Sequence, residues 1–356
     1  MKYAIIGAGP AGIEAASVLA AHGKEVTLFE KAPSPLKNIA DKAFLFPNFA
    51  PADEMVQTLD KKLQNELITV LYDTEITDLS RVALTGTVES YGDYAATMPQ
   101  SSFAIPSEWK LTDAKGHTYF ANKVLVATGY TPFDAHRKEE LGYGIYKGIH
   151  TSIEMEKMIK EQKILNNMNE VPKQVVFLQC VGSRDEKSGN HYCSKVCCVT
   201  AVKQAIEVKK LLPNTEVFVF YMDLRMWGQG FEEMYRQSQE TYGVRFVRGR
   251  ISEASGTFDG RVQIKAEDTL MGLPMKMTTD LLVLMVGMEA SEGTRQIGHS
   301  CNICGDYGFI HTIDPHLQDN LTSHKDLYAA GTCKRPMSLT DSVNDARAAA
   351  LAMLDS

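Results

Sequence analysis

Met1-Lys2-Tyr3-Ala4-Ile5-Ile6-Gly7-Ala8-Gly9-Pro10-Ala11-Gly12 is the stretch on which the fold turns. The apolar run Tyr3–Ile6 reads as a buried strand, and Gly7, Gly9 and Gly12 satisfy G-x-G-x-x-G. The Ala-rich run Ala11–Ala21 then has helical periodicity. Strand, glycine turn and helix in that order give the motif its meaning. Gly7 makes the tight turn, Gly9 lets a pyrophosphate approach the backbone, and Gly12 allows helix and strand to pack closely. Pro10 and Ala11 open the helix, whose first N–H groups have no internal acceptor and suit an anion. The next apolar run, Glu25–Phe29, ends at Glu30, 18 residues beyond Gly12, where a carboxylate can take a ribose hydroxyl pair. An acid at that place disfavours a 2′-phosphate. Lys31 and Ile76 complete this candidate set. A glycine turn that binds nothing is the bland alternative, and the agreement of strand, turn, helix and acid argues against it.

Outward from this start, strand-like runs recur at Lys123–Ala127, Gln174–Leu178, Glu216–Phe220, Leu281–Val286 and Leu327–Ala330. Helical periodicity recurs at Ser194–Leu212 and Asp341–Leu354. The alternation argues for an α/β chain with parallel sheets. Lys123–Gly129 (KVLVATG) and Asp280–Gly287 (DLLVLMVG) read alike, which implies two nucleotide-type domains, and Gly86–Phe120 reads as a small β-meander. The 356 residues, 44% of them hydrophobic, are enough for two cores. With a net charge of −7 and no basic run, nucleic acid is set aside. No leader-like start and no apolar run near the ~20 residues of a membrane span is present, so the expectation is a cytoplasmic protein with no transmembrane segment.

Both FAD and NAD use the opening fingerprint, so the far end of the chain must decide. Asp326-Leu327-Tyr328-Ala329-Ala330-Gly331-Thr332 is a strand ending at Gly-Thr, and Asp341-Ser342-Val343 starts a helix soon after. That arrangement brings a second helix N-terminus to a flavin's pyrimidine edge, where negative charge develops on reduction. Val126-Ala127-Thr128-Gly129 offers a further backbone approach through Thr128 and Gly129. Together these segments resemble the thioredoxin-reductase-like, pyridine-nucleotide-disulfide oxidoreductase flavoproteins over nearly the whole chain. The resemblance implies two Rossmann-like domains and bound FAD. One departure stands out: those flavoproteins usually have Gly-Asp where this chain has Gly331-Thr332, a weaker ribitol ligand.

Seven cysteines, four of them within Cys180–Cys198, do not form a secreted disulfide pattern and point to metal or redox chemistry. The strand Gln174–Leu178 stands where a nicotinamide-binding glycine turn would follow. Instead the chain continues through Cys180, Cys193, Cys197 and Cys198, spaced C-x12-C-x3-C-C. Cys193 and Cys197, four residues apart, are expected to share a helix face. Four thiolates from a strand, loop and helix suit an iron–sulfur cluster. Zinc and buried structural thiols remain open on spacing alone, although the paired knuckles usual for zinc are missing.

The segments Gln179-Cys180-Val181-Gly182-Ser183-Arg184-Asp185, Tyr192-Cys193-Ser194-Lys195-Val196-Cys197-Cys198 and Phe220-Tyr221-Met222-Asp223-Leu224-Arg225 resemble the A-type (HdrA-like) component of heterodisulfide reductase. So do Val247-Arg248-Gly249-Arg250 and Ala330-Gly331-Thr332-Cys333. The resemblance implies a [4Fe–4S] cluster on Cys180, Cys193, Cys197 and Cys198, close to FAD. It also implies a catalytic role for Lys203 near flavin N5; Glu154 or Glu156, in Thr151-Ser152-Ile153-Glu154-Met155-Glu156, is the expected partner. The longer relatives place extra cluster cysteines around Phe46–Pro51, where this chain has none, so it reads as a short core form like the Hdr-like complexes of sulfur oxidisers. That implies a non-bifurcating relay with B- and C-type Hdr subunits, a lipoate-binding protein and a homodimer. The alternatives are a stand-alone NAD(P)H-dependent disulfide oxidoreductase and an electron-bifurcating flavoprotein. The FAD domain is expected from residues 1–148 and 320–356, and the cluster domain from 149–319. Cys301-x-x-Cys304 reads as a pair of loop thiols, His191 as a local hydrogen-bonder, and Cys333 as a thiol beside the flavin turn.

Overall fold

The computed structural model describes residues 1–83 and 107–355. Its frame is two five-stranded parallel sheets. The first runs Leu327–Ala329, Lys123–Val126, Tyr3–Ile6, Val26–Phe29, Ile68–Leu71. The second runs Ile149–Thr151, Leu281–Val286, Gln174–Val181, Glu216–Tyr221, Arg245–Arg248. Both orders follow one plan: a central strand, two more added on one side, an antiparallel meander, then a strand on the other side. The likeness of KVLVATG to DLLVLMVG now has a cause, because Lys123–Val126 and Leu281–Val286 are the equivalent strands beside each centre.

The expected meander is present but displaced. Its strands are Ile76–Ala83, Ser107–Asp113 and Thr118–Ala121, so it begins before Gly86, and residues 86–106 of the expected range lie outside the described residues. A second meander, Ile251–Gly256, Val262–Asp268 and Leu273–Thr279, occupies the equivalent place in the other half. Sequence reading missed it.

Strands buried on both faces are apolar at nearly every position, and their side chains alternate between two cores. In the first sheet Ile5, Leu28 and Leu125 meet Leu19, Ala346 and Met353 on the helical side. Ala4, Ile6, Val124 and Val126 meet Leu79, Trp109 and Leu111 of the meander on the other. In the second sheet Val175, Phe177 and Val283 face Met155, Ala201 and Ala205, while Val176, Leu178 and Leu282 face Val262 and Ile264. The halves are joined by a short antiparallel ribbon, Tyr130–Pro132 with Met288–Ala290, continued by Phe133 N donating to Gly287 O at 2.9 Å. No helix among the described residues is long and apolar enough to cross a membrane.

Phe177 is fully buried at the centre of the second sheet. Phe177→Ala is expected to cost about 3–5 kcal/mol, read from the midpoint of chemical denaturation.

Candidate functional site

The Gly7–Gly12 turn is closed so tightly that neither Gly7 nor Gly12 tolerates a side chain. A Cβ on Gly12 would lie 1.9 Å from Gly7 O, and one on Gly7, at φ +107°, would lie 2.4 Å from Ala127 O. Gly9 is the opposite case: a Cβ there meets nothing within 4 Å, so this face of the turn is open. Helix Pro10–Ala21 starts directly behind it, with Pro10 in its first turn and no side-chain cap. Open space, uncapped N–H groups and glycine backbone together make a cradle for a pyrophosphate.

Other predicted residues converge on the cradle. A Cβ on Gly331, at φ +77°, would come within 2.9 Å of Ala11 Cβ and 3.8 Å of Ser342 Cβ. A Cβ on Gly129 would lie 3.7 Å from Thr332 Oγ1. Thr128 Oγ1 is 2.7 Å from Thr294 Oγ1 across the ribbon between the halves. Glu30 ends its strand as expected, and its carboxylate accepts from Ala8 N (2.7 Å) and Ala32 N (2.9 Å), which fixes the turn. Lys31 and Ile76 are not drawn in: Lys31 is exposed and 3.8 Å from Glu75, and Ile76 is a core residue that opens the meander's first strand.

The second helix start needs a correction. The C-terminal helix runs Leu339–Asp355, so Ser342 and Val343 lie within its first turns and not at its start. Ser342 N already bonds to Ser338 O, and Ser338 Oγ caps Asp341 N at 3.1 Å. A buried network that sequence reading missed holds the Gly331 turn against this helix. Lys334 Nζ bonds Asp319 Oδ2 (2.9 Å) and Asp345 Oδ1 (2.8 Å), and Asp345 Oδ2 accepts from Gly331 N at 2.6 Å. A lysine two residues after a flavin-type Gly-Thr carries no hydrophobic pattern that would flag it.

In the second half the strand Gln174–Val181 extends through Cys180, three residues past its expected end. The following helix is Cys197–Leu211, so Cys193 lies in the preceding loop and does not share a helix face with Cys197. The cause is Lys195, whose φ of +61° cannot continue a helix. Cys180 (φ +61°) and Arg184 (φ +52°) are also left-handed. Strain of this kind persists where surroundings over-determine the backbone. Here Asp185, almost fully buried, meets Lys138 at 2.7 Å and Arg250 at 3.2 Å. Ser194 Oγ accepts from Met288 N, and Tyr192 OH donates to Met288 O.

The four thiols sit where they feel one another. Burial pushes the Cys180 thiol up to about 12, with the neighbouring thiols adding to it, and it pushes Cys197 and Cys198 up as well. Cys197 senses Cys180, Cys198 and Cys193 together. Among the described residues no three His, Cys, Asp or Glu side chains converge closely enough to hold one metal ion. The donor set itself is four mutually interacting sulfurs on three chain segments. It suits a cuboidal cluster, whose thiolates are spread about a cube, better than a single ion. Gln179, 5% exposed, adds an orphaned group: its Nε2 has no hydrogen-bond partner while its Oε1 accepts from Cys198 Sγ at 3.1 Å.

Lys203 is fully buried on the same helix, which removes the solvated reading of it. Its Nζ lies 2.6 Å from Glu156 Oε1, 3.6 Å from Glu207 Oε2 and 2.9 Å from Phe44 O of the first half. Glu156, not Glu154, is the partner; Glu154 closes a capping box with Thr151. Burial raises Glu156, but the Lys203 ammonium outweighs it and holds the carboxyl low. Glu207, with neither carboxyl oxygen hydrogen-bonded, is raised by burial to about 7. Cys301 is a buried thiol, pushed by burial to about 11, and Cys304 is a half-buried free thiol. Cys333 is fully buried against Val126 O and Ala330 O.

The fold and cradle define a flavoprotein-type oxidoreductase of two Rossmann-like repeats. The profile of the pyridine nucleotide-disulphide oxidoreductases matches residues 1–350, and the chain belongs to that family. Its architecture is shared with thioredoxin reductases of Lactococcus lactis (TM-score 0.66, 16% identity, 99% of this chain and 98% of that one) and T. acidophilum (0.63, 19%, 99% and 97%). In sequence it is 40% identical over 240 residues to the A component of the H(2)/formate:CoB-CoM heterodisulfide,ferredoxin reductase of Methanococcus maripaludis, covering 65% of this chain and 36% of that protein. It is 38% identical over 240 residues, with the same coverages, to the iron-sulfur A component of the CoB--CoM heterodisulfide reductase of Methanocaldococcus jannaschii. The match spans about a third of the length of these relatives.

Two outcomes are expected. Gly12→Val, which places side chain against Gly7 O, should yield protein without the flavin absorption band of the parent. Glu207 sets a pH slope. The unfolded chain loses this proton near 4.5 and the folded one near 7, so stability falls as pH rises through that window, by about 3 kcal/mol in all. Glu207→Gln, which still faces Lys203, Glu156 and Lys210, should match the parent near pH 4.5 and exceed it at pH 8 in denaturation midpoints.

Proposed function

We propose that the chain is an electron-transfer subunit of a heterodisulfide reductase-like complex, with FAD in its first repeat and a [4Fe–4S] cluster in its second. The observation that carries this reading is positional. The Cys180–Cys198 loop occupies, in the second repeat, the strand-to-helix junction that the Gly7–Gly12 turn occupies in the first. A junction built of thiols and left-handed backbone does not offer a nicotinamide dinucleotide the close glycine approach it uses. The relatives named as A components of heterodisulfide reductases, one of them an iron–sulfur protein by name, support the same assignment.

FAD would be held by Gly7, Gly9, Pro10, Ala11 and Gly12, with Thr128, Gly129, Gly331 and Thr332 closing the far side. Cys180, Cys193, Cys197 and Cys198 would hold the cluster. Bound together, the two groups supply reversible electron uptake and release. The chain's own part is position and charge: Lys203, fixed by Glu156, presents a buried cation that favours an anionic reduced neighbour. On this reading residues 1–148 with 320–356 form the FAD unit and 149–319 the cluster unit. The proposed relay is simple transfer, not bifurcation, with the four-cysteine loop as its electron exit. The proposed setting is a cytoplasmic homodimer that works with B- and C-type subunits and a lipoate-binding protein in sulfur or disulfide metabolism.

Anoxically reconstituted protein is expected to contain FAD with about four iron and four acid-labile sulfides per chain, and an EPR signal on reduction. Cys198→Ser should lose the iron and keep the flavin. Zinc without sulfide, or rapid flavin reduction by NADH or NADPH alone, would overturn the assignment.

A further inference from the structure

We infer that Gln179 is a positioning residue for the electron carrier of the second repeat: its side-chain amide donates an N–H to the Cys198 sulfur and raises the reduction potential of a cluster held there. The inference rests on the cofactor reading above. It starts from a pairing that holds for a thiol and fails for a thiolate.

With Cys198 protonated, its S–H donates to Gln179 Oε1 at 3.1 Å. A sulfur that ligates iron has no proton and becomes an acceptor. An amide oxygen aimed at it would then set two acceptors against each other. The carboxamide is nearly symmetric in shape, so a half-turn about its last bond exchanges Oε1 for Nε2 at the same place. Nε2 is the atom the structure leaves buried and unpartnered, in a side chain only 5% exposed. Ligation therefore satisfies the stranded donor as it turns the thiol into an acceptor.

Gln179 also differs from the other groups around the sulfurs. Lys195 N donates to Cys193 Sγ at 3.3 Å, and the Arg225 backbone reaches Cys198, but both are main-chain donors. Ser183 Oγ stands 4.0 Å from Cys197 Sγ. Gln179 is thus a short side-chain contact that can be removed without touching the backbone, and it is covalently next to Cys180. Hydrogen bonds to cluster sulfurs stabilise the more negative, reduced state and raise the potential.

The test uses reconstituted full-length protein and an EPR-monitored anoxic redox titration. Gln179→Leu should keep its iron and sulfide but lower the potential. The expected size is about tenfold in the ratio of reduced to oxidised cluster at fixed potential, about 59 mV for a one-electron couple. Pulsed EPR of reduced wild-type protein labelled with amide-15N glutamine should show one coupled nitrogen, lost in Gln179→Leu. This wild-type measurement decides the matter even where the variant does not fold. A loaded wild type with no glutamine coupling, or a variant with unchanged potential, would overturn this inference alone. Iron and sulfide missing from reconstituted wild type would overturn the cofactor reading and this inference with it.

Discussion

Every parallel strand that hands over to a helix must deal with N–H groups that have no acceptor inside the helix. This molecule meets that constraint at the carboxyl end of each central strand, Tyr3–Ile6 and Gln174–Val181, and solves it there in two ways. The first junction removes side chains, so that Gly12 packs on Gly7 O and Gly9 faces open space. The second inserts a loop, bends it through left-handed Cys180, Arg184 and Lys195, and fastens it with Asp185 and Ser194. One junction suits the phosphates of a nucleotide; the other collects sulfur. Both lie at strand carboxyl ends, where open α/β sheets bind their ligands.

The two sites are also joined mechanically. Lys203 lies on the helix that begins with Cys197 and Cys198, yet it bonds to Phe44 O in the other half and to Glu156 on a different helix. The helix is therefore fixed at its cysteine end by the loop and again near Lys203 by buried ions. Burial and charge together explain the uneven titration of the two acids. Burial raises both; the Lys203 ammonium outweighs it at Glu156, 2.6 Å away, but not at Glu207, 3.6 Å away, which burial raises to about 7.

Much of this was legible from the chain alone, for identifiable reasons. Buried parallel strands are apolar throughout, so Tyr3–Ile6 and Leu281–Val286 could be bounded to the residue. The glycine turn was legible because its geometry excludes a side chain at Gly7 and at Gly12. The second meander was missed although Val262–Asp268 alternates apolar and polar residues, the pattern of a half-buried strand; only the long, wholly apolar runs had been read as strands there. The start of the cysteine helix was misplaced because nothing in Ser194-Lys195-Val196 announces that Lys195 is left-handed. Lys203 and Lys334 are buried by partners distant in sequence, and a pairwise ionic contact leaves no periodic trace. For Lys203 the resemblance, not the pattern, carried the expectation.

The cysteines show how four neighbouring thiols are reconciled with a stable core. Cys197 packs with Phe177, Val219 and Ala201, and Cys198 with Val202, Ile206 and Met226. A protonated thiol behaves as a small apolar side chain, so these positions contribute to packing in their own right. The same burial that raises the thiols makes four adjacent thiolates costly until positive charge arrives to share. On the proposed cofactor reading, ligation at this loop releases protons, and toward Gln179 it converts the Cys198 sulfur from donor to acceptor. The main-chain donors of Lys195 and Arg225 already point at sulfur, the Ser183 hydroxyl can turn and the Gln179 amide holds a spare N–H, whereas Asp223 O, 3.6 Å from Cys198 Sγ, can only accept. The core thus folds on neutral thiols while most of these neighbours can meet charged ones.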